Sequence, residues 1–214
     1  MRITRREFVV STGALVAATA LFGSAPVALA QAGPTQEELM RPGPLPDLVL
    51  GKADAPVTII EYASMTCSGC AAFHKITYPQ LKERFINAGK VRFIFREFPL
   101  DEAAVAASML ARCAGGEKTM ALIEVLFRTQ DKWAVRQPLP PLLQVVKQAG
   151  FTQQSFDECL KDQTLYANIV AIRERAIKIF KIDSTPTLFI NGTMHRGGVS
   201  IQELEKLIKP HLKN

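Results

Sequence analysis

Two cysteines, Cys67 and Cys70, are separated by two residues in the sequence SMTCSGCAAF. This stretch follows an apolar, β-branched run and opens a segment with helical periodicity, so both cysteines fall where a strand turns into a helix. A helix N-terminus presents unpaired backbone N–H groups and about half a positive charge, which favours the thiolate of Cys67 over its thiol. We therefore expect the pKa of Cys67 to be lowered and Cys67 to act as nucleophile and leaving group.

Cys70 follows one turn later, where it faces the packed side of the helix and can close a short disulfide with Cys67. A pair this close can switch between dithiol and disulfide without refolding the protein. A static disulfide and half of a zinc site are the alternatives. The position at a strand-to-helix junction favours redox chemistry over both.

The first 30 residues have the pattern of an export signal. The adjacent Arg5 and Arg6 precede a moderately apolar segment that ends in Ala28-Leu29-Ala30. This succession predicts a signal peptide of the twin-arginine type, cut after residue 30. An uncleaved anchor helix is the alternative. In both cases we expect the body of the protein outside the cytoplasm, in the periplasm, where disulfides form and persist.

The composition predicts a globular domain with an elaboration. The chain has 214 residues, of which 48% are hydrophobic, enough for a sizeable core. The formal net charge is +6, but the first 30 residues hold three arginines and one glutamate, which leaves 23 basic and 19 acidic groups in the rest. This mild excess contains no basic run, so nucleic acid is not an expected partner.

Hydrophobic periodicity and breaker residues divide the rest of the chain. Residues 31–56 are rich in proline and glycine and predict a mostly irregular N-terminal arm. The predicted elements then follow in order: a strand at 57–62, a helix from 67 to about 87, a strand at 91–98, helices at roughly 101–114, 117–132, 139–149, 153–162 and 164–181, a hairpin at 187–196 and a helix at about 200–212. The hairpin turns at Asn191-Gly192, a common two-residue turn sequence.

This order of elements resembles the thioredoxin fold, and the motifs resemble those of the exported DsbA-like thiol:disulfide oxidoreductases. The resemblance rests on Glu61 six positions before Cys67, on the Cys67-Ser-Gly-Cys70 motif, and on Ser184-Thr185-Pro186-Thr187 before a strand. It extends from residue 54 to residue 212. It implies an α/β thioredoxin fold, with residues 57–100 and 183–214 as the thioredoxin-like domain. We expect residues 101–182 to form an all-helical insertion between the β-α-β unit and the C-terminal ββα unit.

The resemblance also implies roles for three residues outside the cysteine motif. Pro186 matches a proline whose peptide bond is cis and which lies against the two cysteines, and the backbone of Thr185 would dock an extended substrate peptide. Glu61 matches a buried acid behind the second cysteine, placed to take the proton from Cys70. The alternatives are a trans proline that begins a strand and a solvated glutamate on a strand edge.

Two features near the motif bear on redox strength. The dipeptide Ser68-Gly69 replaces the Pro-His of the strongest oxidants in the family, so we expect a less oxidising couple here. His74, one turn after Cys70, is expected to be an ordinary residue on the helix rather than a substitute for that histidine or a metal ligand.

The other two cysteines, Cys113 and Cys159, fall in the predicted helical insertion, 46 positions apart and each on the apolar side of its helix. Some relatives that resemble this chain have a second disulfide in the insertion, which implies a structural disulfide between them. Two buried free thiols and a four-cysteine zinc site are the alternatives.

The function implied by the resemblance is dithiol oxidation of unfolded or partly folded exported proteins, with reoxidation by a membrane redox partner and with no dissociable cofactor and no metal site. A periplasmic reductase for one dedicated client is the nearest alternative. A copper(I) carrier that uses the two cysteines is a different class, and Met65 is the only obvious third ligand for it. A catalytically silent binding module is disfavoured by the intact cysteine pair.

Overall fold

Strand β2 (Val57–Ala63) lies in the middle of the sheet, and six of its seven residues are buried. It pairs in parallel with β3 (Val91–Glu97) and antiparallel with β4 (Thr187–Ile190). Two short strands, β1 (Leu48–Leu50) and β5 (Thr193–Arg196), complete a five-stranded sheet of order β1-β3-β2-β4-β5. We describe the protein from a computed structural model that covers residues 34–212, so the predicted signal peptide lies outside the described residues.

The crossover between β2 and β3 is one continuous helix that changes its winding. It begins as α2 (Ser68–Ala72), passes through a π-helical turn (Phe73–Thr77), returns to α-helix as α3 (Tyr78–Leu81) and ends in a second π turn (Lys82–Ile86). We call these residues, 68–86, the crossover helix. Single π turns inside a helix are frequently found at functional sites because they redirect side chains.

Between residues 102 and 178 the chain forms helices and the loops that join them, as the sequence predicts. The helices are α4 (Glu102–Cys113), α5 (Lys118–Arg128), α6 (Gln130–Trp133), α7 (Leu139–Lys147), α8 (Gln153–Lys161) and α9 (Gln163–Lys178). The stretch predicted as one helix at 117–132 is broken at Thr129, the cap residue between α5 and α6. The last helix, α10 (Ile201–Ile208), is shorter than predicted and continues as a 3-10 turn (Lys209–His211).

The predicted hairpin is present. Asn191 and Gly192 both have positive φ, 44° and 90°, as a two-residue turn of type I′ requires. The Asn191 side chain also accepts a hydrogen bond from the backbone N–H of Thr58, which ties the turn to the beginning of β2.

The N-terminal arm is more ordered than its proline and glycine content suggests. It includes the short helix α1 (Gln36–Met40) and strand β1, which pairs antiparallel with β3. Arg96 of β3 anchors the arm: its side chain donates to both Asp47 carboxylate oxygens and to the backbone carbonyls of Leu39 and Arg41.

The sheet is covered on both faces. The larger core joins the crossover helix, the insertion helices and α10; the smaller one joins α1, α9 and side chains from the other sheet face such as Tyr62 and Phe189. This arrangement confirms the predicted thioredoxin fold with a helical insertion. Within residues 34–212, no helix is both long and apolar enough to cross a membrane.

Candidate active site

Cys67 is the N-cap residue of α2, with extended backbone angles of φ −74° and ψ 122°. Its sulfur accepts a hydrogen bond from the backbone N–H of Cys70 at 3.3 Å, as a capping side chain does. Cys67 is partly exposed and Cys70 is fully buried, and both carry free thiols, so the structure is that of the dithiol form.

The loop before Cys67 is held by residues from the helical insertion. Gln130 of α6 donates through its side-chain amide to the backbone carbonyls of Met65 at 2.8 Å and Cys67 at 3.0 Å. The hydroxyl of Thr66 donates to Asp101, the N-cap residue of α4, at 2.7 Å. Neither Gln130 nor Asp101 is recognisable from the sequence as part of the site, because their contacts with the motif span 63 and 35 positions.

The two cysteines have opposite electrostatic environments. The pKa of Cys67 is lowered from 9.0 to about 5, chiefly by the side chain of Cys70 and further by the side chain of Thr185 and the backbone N–H groups of Cys70 and Gly69, against an opposing effect of burial. The pKa of Cys70 is raised far above its ordinary value, first by burial, then by its interaction with Cys67 and by the charge of Glu61. A low-pKa sulfur at the surface and a protonated sulfur beneath it suit an attacking and a resolving cysteine, respectively.

The Thr185–Pro186 segment lies directly against the two cysteines. Its peptide bond is cis, and the Thr185 carbonyl oxygen is 3.3 Å from the sulfur of Cys67. A β-carbon added at Gly69 would lie 3.4 Å from the ring of Pro186, an ordinary van der Waals distance, so the motif and the proline ring are close neighbours.

An apolar groove of about 340 Å³ runs beside this contact and is lined by Gly69, Phe73, Ile76, Gly198 and Val199 among others. Ile76 is 67% exposed on its rim. Exposed apolar surface of this kind is typical of interaction sites.

Glu61 is fully buried and forms a hydrogen bond of 2.8 Å with His74 between Glu61 Oε2 and His74 Nε2. The imidazole stacks on Phe127 with ring centroids 4.2 Å apart and contacts Tyr78. The alternative of a solvated glutamate on a strand edge is therefore wrong. His74, expected to be an ordinary residue on the helix rather than a substitute for the motif histidine or a metal ligand, is buried and bonded to Glu61. Residues 70, 74 and 78 are spaced by four on a single helix face, and this spacing could have placed His74 on the packed side below Cys70.

The structure joins Cys113 at the end of α4 to Cys159 in α8 by a disulfide, with the two Cα atoms 6.2 Å apart. Among the described residues there is no group of three or more His, Cys, Asp or Glu side chains arranged to hold a metal ion. Met65, the candidate third ligand for copper(I), is buried in the larger hydrophobic core.

Comparisons with known proteins agree with this geometry. A family model described as Thioredoxin matches residues 45–210. A Rickettsia bellii protein whose name places it among the protein-disulfide oxidoreductases is 34% identical over 148 residues, which make up 68% of this chain and 57% of the relative. A second relative, from Rickettsia prowazekii and named in the same way, is 30% identical over 76% of this chain and 60% of its own length. The chain thus spans about three fifths of the length of these curated relatives.

Two solved structures are similar over more of their length. Wolbachia pipientis alpha-DsbA1 is 31% identical with a TM-score of 0.75, over 82% of this chain and 95% of that one. Bacillus subtilis BdbD, in its oxidised form, shares the fold, with 24% identity and a TM-score of 0.68 over 78% of this chain and 94% of that one.

Proposed function

This chain belongs to the DsbA-like branch of the thioredoxin superfamily, and from that membership we propose that it is a thiol:disulfide oxidoreductase that introduces disulfides into exported proteins. The observation that carries the proposal is the contrast between the two cysteines, since the pKa of Cys67 is about 5 while that of Cys70 is strongly raised. The pair can therefore react through one sulfur and resolve through the other.

In the oxidising direction, a substrate thiolate attacks Cys67 of the Cys67–Cys70 disulfide, and Cys70 leaves and takes up a proton through Glu61. The substrate's second thiolate then attacks the substrate sulfur that is bonded to Cys67, and Cys67 departs as a thiolate. The substrate dithiol becomes a disulfide and the enzyme disulfide becomes a dithiol. Cys67 is a good leaving group because its thiolate is stabilised at the helix N-terminus and by the Cys70 side chain.

Substrate docking is assigned to the segment around the cis peptide bond. The backbone of Thr185 borders the Cys67 sulfur, and the apolar groove beside Pro186 accommodates side chains of an extended, incompletely folded peptide. The Cys113–Cys159 bond lies in the insertion and has a structural role in this scheme. Residues 1–30 would direct export to the periplasm, where a membrane redox partner reoxidises the dithiol.

The proposal is tested by equilibrating the protein with reduced and oxidised glutathione and quantifying the Cys67–Cys70 state by alkylation and mass spectrometry. Peptides that contain Cys113 and Cys159 are followed separately, so that the second disulfide does not distort the result. A potential at or above the glutathione range of about −220 to −260 mV identifies a disulfide donor. A value near the roughly −270 mV of thioredoxin or below it would reassign the protein as a reductase for a dedicated client.

A trapping experiment examines the substrates. In a Cys70→Ser variant the resolving sulfur is missing, so mixed disulfides between Cys67 and substrate proteins should accumulate and disappear on reduction. A Cys67→Ser variant is the matched control, because it retains a thiol but lacks the attacking one. Equal trapping by both variants would contradict the assignment of Cys67 as the attacking residue.

A further inference from the structure

In the buried Glu61–His74 pair, one polar side-chain atom of each residue takes part in the shared hydrogen bond, and the other polar side-chain atom does not. Glu61 Oε2 and His74 Nε2 share the 2.8 Å hydrogen bond, whereas Glu61 Oε1 and His74 Nδ1 are buried without a protein hydrogen-bond partner in the described part of the chain. Buried polar atoms are nearly always satisfied, so two such atoms at opposite ends of one pair call for an explanation.

The two residues of the pair have different neighbours beyond their shared hydrogen bond. Glu61 is bonded to His74, which follows the equally buried Cys70 by four residues on the crossover helix, and the charge of Glu61 raises the pKa of the Cys70 thiol. His74 is one of the residues that line a cleft of about 270 Å³ bordered by the crossover helix and α5. The cleft and the apolar groove share no lining residue, so a peptide seated in the groove leaves the cleft open to water.

The cleft is rich in groups that exchange or stabilise protons. Lys82 forms an ion pair with Glu124 at 2.6 Å, and the Tyr78 hydroxyl points to the same carboxylate. The titratable and charged groups that face the Glu61–His74 pair are Cys70 beneath it and, around the cleft, Lys75, Tyr78, Lys82, Glu83, Glu124 and Arg128.

We propose that Glu61 and His74 form a proton relay that connects Cys70 with this cleft while a substrate covers the Cys67 side. The inference rests on the proposed function. When Cys70 must become a thiolate, its proton moves to Glu61 Oε1. In this proposal the pair starts as a carboxylate and a protonated imidazole. Once the carboxyl is neutral it no longer balances the charge of the imidazole, so His74 releases its Nδ1 proton to water in the cleft.

The step balances without any further reactant. One proton leaves the Cys70 sulfur and one proton enters the cleft, while the Glu61–His74 pair begins and ends with no net charge. When Cys70 leaves as a thiolate, the same sequence runs backwards: Glu61 returns its proton to sulfur and His74 regains one from the cleft. His74 does not touch the reacting sulfurs and is therefore a positioning and proton-transfer residue rather than a catalytic one.

The test uses the protein with Cys67 held as a mixed disulfide with glutathione. The rate of glutathione release reports the attack of Cys70 and is measured from pH 5 to pH 9. In His74→Gln, the side-chain amide can still donate to Glu61 but cannot transfer a proton. General acid–base groups contribute about 10²–10⁴-fold, and we expect this variant to be about 10- to 100-fold slower at pH 6.5, with its profile displaced to higher pH.

Three comparisons separate a relay from a merely structural role. His211→Gln, an exposed histidine near the C-terminus, should behave as wild type. His74→Phe retains a ring between Phe127 and Tyr78 and should be as slow as His74→Gln. The double variant Glu61→Gln/His74→Gln should be no slower than the slower single variant, because both residues belong to one path.

Several outcomes would overturn the relay. A wild-type pH profile of glutathione release in His74→Gln would do so. A fully additive loss of release rate in the double variant would do so as well, and so would a loss of Cys67 alkylation rate in His74→Gln as large as its loss of release rate. If the His74 variants do not fold, Glu83→Gln/Glu124→Gln removes the carboxylates of the cleft; at least a threefold slower release at pH 6.5 supports the relay and an unchanged rate contradicts it. Wild-type protein that neither forms nor resolves the mixed disulfide would instead refute the proposed function.

Discussion

The Cys70 side chain is the largest influence on the pKa of Cys67, and replacing it should raise that pKa by a calculable amount. A hydrogen bond to a charged group contributes about 1.5–3 kcal/mol, and one pKa unit corresponds to about 1.4 kcal/mol. Cys70→Ala should therefore raise the pKa of Cys67 by about 1–2 units, from about 5 toward 6–7. It should stay below the ordinary value, because Thr185 and the backbone N–H groups still act on the sulfur.

Cys70→Ser is the matched variant for this experiment. Its hydroxyl can donate to the Cys67 thiolate as the thiol does, so the pKa of Cys67 should remain within about half a unit of the wild-type value. At pH 7, wild-type Cys67 is about 99% thiolate for a pKa of about 5. The alanine variant should be roughly 50–90% thiolate at the same pH.

The assay is the rate of Cys67 alkylation by iodoacetamide between pH 4 and pH 9, quantified by mass spectrometry of the Cys67 peptide. The inflection of each profile gives the pKa directly, since only the thiolate reacts. Equal inflections in the alanine and serine variants would refute the reasoning, because the Cys70 donor would then have no influence. An inflection near 9 in the wild type would also refute it.

Three further predictions concern stability and are measured by urea denaturation. Replacing Cys113 and Cys159 together by alanine should cost about 4 kcal/mol, the loop-closure value for a separation of 46 residues; a loss below 1 kcal/mol would indicate a bond without a structural role. Arg96→Met should cost about 3–5 kcal/mol, because it leaves the partnered Asp47 carboxylate uncompensated in a largely buried site; a change below 1 kcal/mol would show that the arm does not depend on this ion pair. Gly51→Ala should lower the free energy of unfolding by more than the about 1–2 kcal/mol expected at a positive φ, because its β-carbon would clash with a strand carbonyl oxygen. Gly115→Ala is the control: Gly115 has a φ of 71° and lies in open space, so its substitution should show only the conformational cost.

Local patterns predicted most of the fold because they act over short distances. The cysteine motif is read from a strand, a turn and the first turn of a helix, all within about ten residues. The hairpin follows from Asn191-Gly192, which fixes the turn type on its own. The helical insertion follows from periodicity and from the breakers between its helices, although the interruption at Thr129 carries no Gly or Pro signal.

Contacts between separate elements could not be predicted from the sequence. Gln130 holds the backbone of Cys67 from 63 positions away, and nothing in its local surroundings marks it for that role. Strand β1 is three residues long and exists because it pairs with β3, not because of its own propensity. The His74–Glu61 hydrogen bond needs both the helical phase of His74 and its packing over the strand, and only the first is present in the sequence.

The same long-range contacts modify the expectation of a weak oxidant. That expectation rested on the dipeptide Ser68-Gly69, which lacks the histidine of stronger relatives. Yet the pKa of Cys67 is about 5 chiefly because the Cys70 side chain acts on it, with a further contribution from Thr185, and neither residue belongs to the dipeptide; Gly69 contributes through its backbone N–H, which any residue there other than proline would supply. At pH 7 the lowered pKa of Cys67 stabilises the reduced form only over the two pKa units between 5 and 7. These two units correspond to at most about 2.7 kcal/mol, or about 60 mV in reduction potential. The actual effect is smaller, because Cys67 is only half-buried and solvent screens its charge. This stabilisation, relative to a dithiol of ordinary pKa, falls away as the pH drops toward 5, so the advantage of this couple over an ordinary dithiol should shrink there. The segment around Pro186, for which we propose a role in substrate docking, therefore also acts on the redox-active sulfur through Thr185.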